Sequence, residues 1–380
     1  MKRVMIIAGE ASGDLHAARL VQDITARTAE VRFFGIGGAN MQKAGVEILV
    51  DSAELAVVGI WEVLAHRKTI FAALNQMREI LRTAPPDLLI LVDYPDFNLR
   101  LAETAKKHGT KVLYYISPQV WAWRQGRVKK IRHLVDMMAV VFPFEEKFYK
   151  KHKVPVCYVG HPLTDEVHSR KNQYELLTEF GLDPASKTVG LFPGSRQSEI
   201  KRLFPIILES ASRLQQHYSD IQFLLPIAST LSEEILLPFL NQYKSLRVKM
   251  IAERGHDVMK ACDAIITVSG TVTLEIAIIG TPMVIINKLS WLTYSIVKHM
   301  VKIPYIGLCN LVANEKLVPE LIQHDAKPEL ISAEIQKMLD DKAYNSKIRE
   351  KLSQVNAILK NTPSNYKIDE IAMKMLDSGK

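Results

Sequence analysis

The chain has only three cysteines in 380 residues, Cys157, Cys262 and Cys309, far apart and without any Cys-x-x-Cys or His-rich spacing. That scarcity argues against a disulfide framework and against a zinc site, and it makes a reducing cytoplasm the expected compartment. No stretch approaches the ~20 apolar residues of a membrane span. The opening Met-Lys-Arg leads into a short apolar run, Val4 to Ala8, which is too brief for a signal-peptide core and lacks a small-residue cleavage site. Low-complexity tracts and long blocks of like charge are missing, so the chain is expected to fold throughout. It also lacks an RNP-type aromatic motif, a zinc finger and a basic zipper, and no nucleic-acid partner is expected. Neither a GxGxxG fingerprint nor a Gly-Lys-Ser/Thr phosphate loop occurs.

What is there is an ordinary soluble composition, 48% hydrophobic and 24% charged, with 49 Lys and Arg against 41 Asp and Glu. The net charge of +8 fits a polyanionic partner, which by charge alone could be nucleic acid, an anionic membrane or a phosphorylated substrate. The length exceeds what one core usually supports, since single cores stop growing at roughly 250–300 residues, and two domains are expected.

Short apolar runs alternate with helical lengths, which implies parallel sheets with right-handed crossovers. Strands are predicted near Val4–Ala8, Arg32–Gly35, Leu88–Val92, Val112–Tyr115, Met138–Phe142 and Val156–Val159. Gly160-His161-Pro162 then stops the pattern, and the polar stretch to Asn172 reads as a linker. The alternation restarts with Thr188–Phe192, Gln222–Leu225, Arg247–Ile251, Ala264–Val268 and Met283–Ile286. The fold expected is α/β: two Rossmann-like doubly wound domains, residues 1–165 and 173–345, facing a central cleft. From about Lys327 onward the pattern is helical only, and the terminal helices, 346–380, are expected to pack back on the first domain or on a second subunit, as in a homodimer.

Ligands in such sheets bind outside the carboxyl ends of the strands, so the loops that leave the strands carry the chemistry. After the first strand, GEASGD (Gly9, Glu10, Ser12, Gly13) is a small-residue turn into a helix N-terminus, where free N–H groups favour an anion. It reads equally as a plain tight turn with Asp14 stabilising the helix dipole, and His16 faces either the cleft or the domain surface. LVDYPDFN places Asp93 directly after a buried strand, where a carboxylate can take a proton from a substrate hydroxyl. Asp96, three residues on, reads as structural. SPQVWAWRQGR sets Ser117, Gln119, Trp121 and Trp123 beside Arg124 and Arg127, which suits a sugar face with a nearby phosphate, although tryptophans are also ordinary core.

In the second half FPGSR (Gly194, Ser195, Arg196) adds an arginine fork able to hold phosphate oxygens, unless Arg196 merely caps local structure through Glu199. SGTVTLE (Ser269, Gly270, Thr271, Thr273, Glu275) is a second anion cradle at a helix start. Capping by Thr271 would want its glutamate one residue earlier, so Glu275 is left for ribose hydroxyls. Finally, the segment from Val58 mixes Ile60, Trp61, Val63, Leu64, Ile70, Phe71 and Leu74 with His66, Arg67 and Lys68. It reads either as a helix lying on an anionic bilayer or as an amphipathic helix facing the core.

Taken together, AGEASGD, LVDYPDFN, SPQVWAWRQGR, FPFEEKFY, GHPL, PGSRQSEI and SGTVTLE resemble the lipid-A-disaccharide synthases, inverting glycosyltransferases with the two-Rossmann GT-B fold. The resemblance implies transfer of a diacylglucosamine unit from UDP-2,3-diacylglucosamine to the 6-hydroxyl of 2,3-diacylglucosamine 1-phosphate (lipid X), with UDP released. It implies Asp93 as base, Arg196 and Glu275 at the nucleotide, and Asn310 of LCNLVANE brought towards it. It also implies peripheral attachment to the cytoplasmic face of the inner membrane. No cofactor or metal is expected, because Arg196 and the helix N-termini can hold the diphosphate and no metal-binding Asp-x-Asp pair is present.

Overall fold

The computed structural model describes residues 1–55, 67–122, 125–228, 231–289, 303–360 and 367–378, with Arg67 described by its backbone alone. They divide into two compact units, Met1–Pro162 with Asn361–Lys380, and Leu163–Lys360. In the first unit a sheet is built from β1 (Lys2–Ala8), β2 (Val31–Gly37), β3 (Glu47–Asp51), β4 (Leu88–Val92), β5 (Lys111–Tyr115), β6 (Met137–Val140) and β7 (Val156–Tyr158). Their order is β3-β2-β1-β4-β5-β6-β7, all parallel. In the second unit β8 (Thr188–Phe192), β9 (Gln222–Ile227), β10 (Val248–Ala252), β11 (Ala264–Val268), β12 (Met283–Asn287) and β13 (Glu320–Ile322) form a parallel sheet in the order β10-β9-β8-β11-β12-β13.

Each order reverses direction once, between β1 and β4 and between β8 and β11. Loops leaving adjacent strands at such a reversal part to opposite faces and leave a crevice at the carboxyl ends. The four strands concerned are buried on both faces, which is why LLILV, TVGLF and AIITV read as unbroken apolar runs rather than alternations. On one face of the first sheet Met5, Ile7, Leu89, Leu91, Val112, Tyr114, Met138 and Val140 join one hydrophobic cluster. That cluster also takes Leu74, Met77 and Leu81 from the helix Arg67–Thr83.

The unit boundary falls between Pro162 and Leu163, just after Gly160-His161-Pro162. Within the adjoining polar stretch, Leu163–Glu166 is a short helix. At its end Asn172 and Glu175 close a reciprocal capping box on the helix Gln173–Glu179. A break at residue 345 would cut the helix Lys342–Lys360, which belongs wholly to the second unit. The last helix, Ile368–Asp377, belongs to the first. There Lys2 donates to the Leu376 carbonyl at 2.6 Å and Lys111 to that of Met375 at 3.1 Å, cations at the negative end of the helix dipole. Arg27 pairs with the buried Asp369 at 2.6 Å.

Candidate functional site

At the first reversal, β4 ends at Val92 and the chain turns through two consecutive left-handed residues, Asp93 and Tyr94, each at φ 46°. Each such residue costs about 1–3 kcal/mol and persists only when its surroundings fix it. Here the Asp93 N–H donates to the Tyr115 carbonyl at 3.2 Å, while the Asp93 carbonyl accepts from Asn98 Nδ2 at 2.6 Å and from the Tyr114 hydroxyl at 2.7 Å. Asn98 and Tyr114 are fully buried. Across the reversal, Gly9 leaves room for the Tyr94 ring, since a Cβ there would lie 2.5 Å from it. The turn is thus clamped from beneath and presents the Asp93 side chain at the strand end.

Burial raises the Asp93 carboxyl to about 6, the charge of Glu10 adds to the rise, and the Tyr94 N–H opposes it. A carboxylate so placed is ionised at neutral pH yet more basic than a solvated one, as general base work requires. Glu10 and Ser12 are exposed beside it at the start of the helix Ala11–Arg27. Gly13 is buried, its Cβ position 3.5 Å from that of Ala8. Asp14 is buried too and turns away from the helix end, accepting from the backbone N–H groups of Gly38, Asn40 and Met41 at 2.6, 3.0 and 3.1 Å. It therefore anchors the loop after β2, a use that sequence reasoning missed. His16 is held near 4, first by burial and then by Arg19, and His161, packed on Phe142, near 3 by burial and by His16. Both are neutral at pH 7.

The loop after β5 departs from expectation. Ser117 and Trp121 are buried, and their polar atoms are committed inward: the Ser117 hydroxyl and the Trp121 Nε1 donate to Glu145 Oε1 at 2.7 and 2.9 Å. Gln119 is exposed, and Arg127 pairs with Asp96 at 2.6 Å. That pair is the structural use of Asp96, which makes no helix cap. Trp123 and Arg124 lie outside the described residues, as do Ile60, Trp61, Val63 and Leu64, and the Arg67 side chain. Of the remaining interfacial candidates, Lys68 is exposed, Ile70 is half-buried and Phe71 is 43% exposed with the Arg100 guanidinium over its ring. Leu74 is corrected to a core residue, 2% exposed, because it falls on the inward stripe with Met77 and Leu81.

The second reversal is open. A cavity of about 880 Å³ lies at the ends of β8, β9, β10 and β11, lined among others by Gly194, Ser195, Arg196, Ser269, Gly270, Thr271 and Glu275. Two helix N-termini flank it, those of Gln197–His217 and Val272–Ile279, and their free N–H groups suit an anion. Gly194 sits at φ 103°, a conformation other residues rarely adopt. Arg196 is 65% exposed and pairs with Glu199 at 3.1 Å, so the local pairing foreseen as an alternative exists in a side chain that also lines the cavity.

Glu275 lines the cavity with one oxygen 3.2 Å from His256 Nε2. Ser269 contributes mainly its backbone, since its hydroxyl donates to Ile306 O at 3.1 Å. Two of the expected ligand residues have buried, internally paired side chains. Thr273 is buried, donating to Gly270 O at 2.8 Å and accepting from the Leu308 N–H. Asn310 is also buried, its Oδ1 accepting from the Leu317 and Val318 N–H groups and its Nδ2 donating to Val318 O and Glu320. Both side chains are spent on holding loops in shape.

Sequence reasoning missed one wall of the cavity, Glu253 to Asp257 after β10. Glu253 is left-handed at φ 56°. Arg254 locks the turn by pairing with Glu179 and Asp257 and stacking on Phe180 at 4.8 Å, and Ser169 donates to Asp257 at 2.7 Å. The polar cluster ERGHD behind a predicted strand was the available signal.

Among solved structures, a UDP-GlcNAc 2-epimerase from Neisseria meningitidis bound to UDP-GlcNAc superposes with a TM-score of 0.65 at 12% identity, covering 99% of this chain and 100% of that one. The glycosyltransferase of kitacinnamycin does so with 0.63 at 14%, covering 98% and 99%. At such identities the likeness shows the fold alone. Two parallel Rossmann-like sheets in these orders place the protein among the α/β proteins of the GT-B type, the architecture of glycosyltransferases and nucleotide-sugar epimerases. The family model for lipid-A-disaccharide synthetase matches residues 4–376. Lipid-A-disaccharide synthase of Geobacter sulfurreducens is 56% identical over 374 residues, 98% of this chain and 97% of that protein. That of Nitrosococcus oceani is 51% identical, covering 98% and 96%. The chain belongs to the lipid-A-disaccharide synthase family, glycosyltransferases of lipid A biosynthesis.

Proposed function

We propose that the protein joins UDP-2,3-diacylglucosamine to lipid X, with Asp93 taking the proton of the acceptor 6-hydroxyl as that oxygen displaces UDP with inversion. The observation that carries this reading is the Asp93 carboxylate on its clamped, left-handed turn at the β1/β4 reversal, with its basicity raised to about 6 by burial. UDP binds in the cavity of the second unit: the diphosphate against Gly194 to Arg196 and Ser269 to Thr271, the ribose hydroxyls on Glu275. A single in-line displacement needs only one base and a stabilised leaving group, and Arg196 with two helix N-termini supplies the latter. On the acceptor side Gly9, Glu10, Ser12 and Gln119 border Asp93's strand end or its neighbours, and bind the sugar phosphate and hydroxyls.

The membrane contact is inferred from the substrates, which are lipids, and from Phe71 and Lys68 exposed on the helix Arg67–Thr83 beside Arg100. The enzyme then works at the cytoplasmic face of the inner membrane. No helix among the described residues is long and apolar enough to cross one.

Incubating the protein with UDP-2,3-diacylglucosamine, with and without lipid X, tests the reading. UDP appears only when acceptor is present. UDP or an epimerised sugar formed from donor alone would assign the protein to the epimerase chemistry that the same fold also serves.

A further inference from the structure

Phe142-Pro143-Phe144-Glu145 takes no part in the proton transfer or in holding UDP, yet Glu145 is 1% exposed at the start of the helix Pro143–Lys151, which comes after β6. One oxygen does local work, accepting from the Phe142 N–H at 3.1 Å to close the first helical turn. Capping of this kind needs no burial, since Glu175 does the same for Asn172 at the surface. Capping therefore leaves the other oxygen unexplained, and that oxygen accepts from both Ser117 and Trp121. The Trp121 ring also meets Phe144 edge-on at 4.8 Å. Both donors lie in the loop that leaves β5, whose first residue, Ile116, is left-handed at φ 61°, an outlier for a β-branched side chain. Just before it, Tyr115 accepts from the Asp93 N–H and Tyr114 donates to the Asp93 carbonyl. Residues 114 to 121 thus hold the Asp93 peptide at one end and are gripped by Glu145 at the other.

We propose that Glu145 is a positioning residue for the transfer: through Ser117 and Trp121 it fixes the strained loop after β5, and through that loop the Asp93–Tyr94 turn. The proposal rests on Asp93 being the base. The donors dictate the choice of a carboxylate. Hydroxyl, indole and backbone N–H all point at Glu145, and a carboxylate is acceptor-only, whereas an amide of the same shape would turn two hydrogens toward one of them. These donors and the Val141 N–H are all neutral. Burial outweighs them and raises Glu145 to about 7. The titratable neighbours do not offset it, because burial keeps Tyr149 protonated and His161 uncharged at neutral pH.

The test uses the full chain as wild type, Glu145→Gln, Glu145→Ala and Asp93→Asn. Steady-state rates give kcat and KM for each substrate, and the Trp121 indole N–H resonance, assigned with Trp121→Phe, is monitored from about pH 5.5 to 8.5. Glu145→Gln is expected to lower kcat by ~10–100-fold with donor KM within ~2-fold, the scale of a sub-ångström misplacement of reacting groups. The wild-type indole resonance is expected to titrate near 7 and that of Glu145→Gln to stay flat. Should Glu145→Ala not fold, Glu145→Gln carries the test alone. Wild-type kcat and KM in Glu145→Gln, or an indole resonance unchanged by that substitution, would overturn the proposal. An Asp93→Asn enzyme of undiminished rate removes the base itself and leaves the indole readout to judge the Glu145 grip separately.

Discussion

The two reversals share a topology and differ in almost everything else. At β1/β4 the loops are tight: Gly9 yields to the Tyr94 ring, the Asp93–Tyr94 turn is held by two buried side chains, and an acid sits where the strand ends. At β8/β11 the loops stand apart around a cavity of about 880 Å³, furnished with glycines, backbone N–H groups and an arginine. On the proposed reading the first arrangement holds one proton acceptor on a fixed turn, and the second suits an extended anion. One sheet order can therefore serve two chemistries, because function at a reversal is set by the few residues that leave the strands and not by the strands.

The largest effect expected from breaking this contrast is at Asp93. Asp93→Asn should lower kcat by about 10²–10⁴-fold, the usual worth of a general base, with donor KM little changed. The wild-type rate should rise with pH through about 6, since only the ionised Asp93 accepts a proton, and further through about 7 as Glu145 ionises and its grip on the loop is completed. Steady-state kinetics across pH check both. Next comes Arg196→Ala, which should raise donor KM by ~10–100-fold and spare the pH profile, a charge-assisted hydrogen bond being worth roughly 1.5–3 kcal/mol. Donor binding by calorimetry checks it independently.

Asn310→Ala should cost about 1–3 kcal/mol of stability by leaving buried backbone groups unpaired, with donor KM within about twofold. A large rise in KM without loss of stability, from denaturant melts and kinetics, would return Asn310 to the nucleotide. The finest contrast is between glycines. Gly9→Ala puts a Cβ into the Tyr94 ring and should destabilise by ~1–3 kcal/mol. Gly270→Ala meets no described atom within 4 Å and should stay within ~0.5 kcal/mol while weakening UDP.

Asp93 also carries a stability consequence of opposite sign to its use. Its folded pKa, about 6, lies above the ordinary aspartate value of 3.8, so the folded state binds the proton more tightly. Stability is lost as pH rises from about 4 through 6, and the loss persists above. Asp93→Asn should therefore melt higher than wild type at pH 7, with the advantage gone near pH 4, as thermal melts would show.

The interior strands were legible because burial on both faces leaves an unbroken apolar run, as in LLILV and AIITV. β3 and β13, half-exposed edges such as ELI, were not, although the equally exposed edges β7 and β10 were. The positions of Asp93, Arg196 and Glu275 were legible from the polar and small residues just beyond each strand end. Which way a side chain turns was not. Ser117 and Trp121 point inward because of Glu145, more than twenty residues on, and Thr273 because of the loop at Leu308. Leu74 was a matter of phase, since its place on the stripe with Met77 and Leu81 decides its burial. Pairings of that range leave no trace in local spacing.

The helix Ile368–Asp377 lies in the segment Asn361–Lys380, which rejoins Met1–Pro162 in one unit, with the whole of the second unit made in between. A nascent chain must therefore carry the flank formed by Ala11–Arg27 and β5 uncovered until the whole second unit has been made. The first unit waits on a helix made after the second, and during that interval a chaperone, or another ribosome's product, has access to a surface that the folded unit hides.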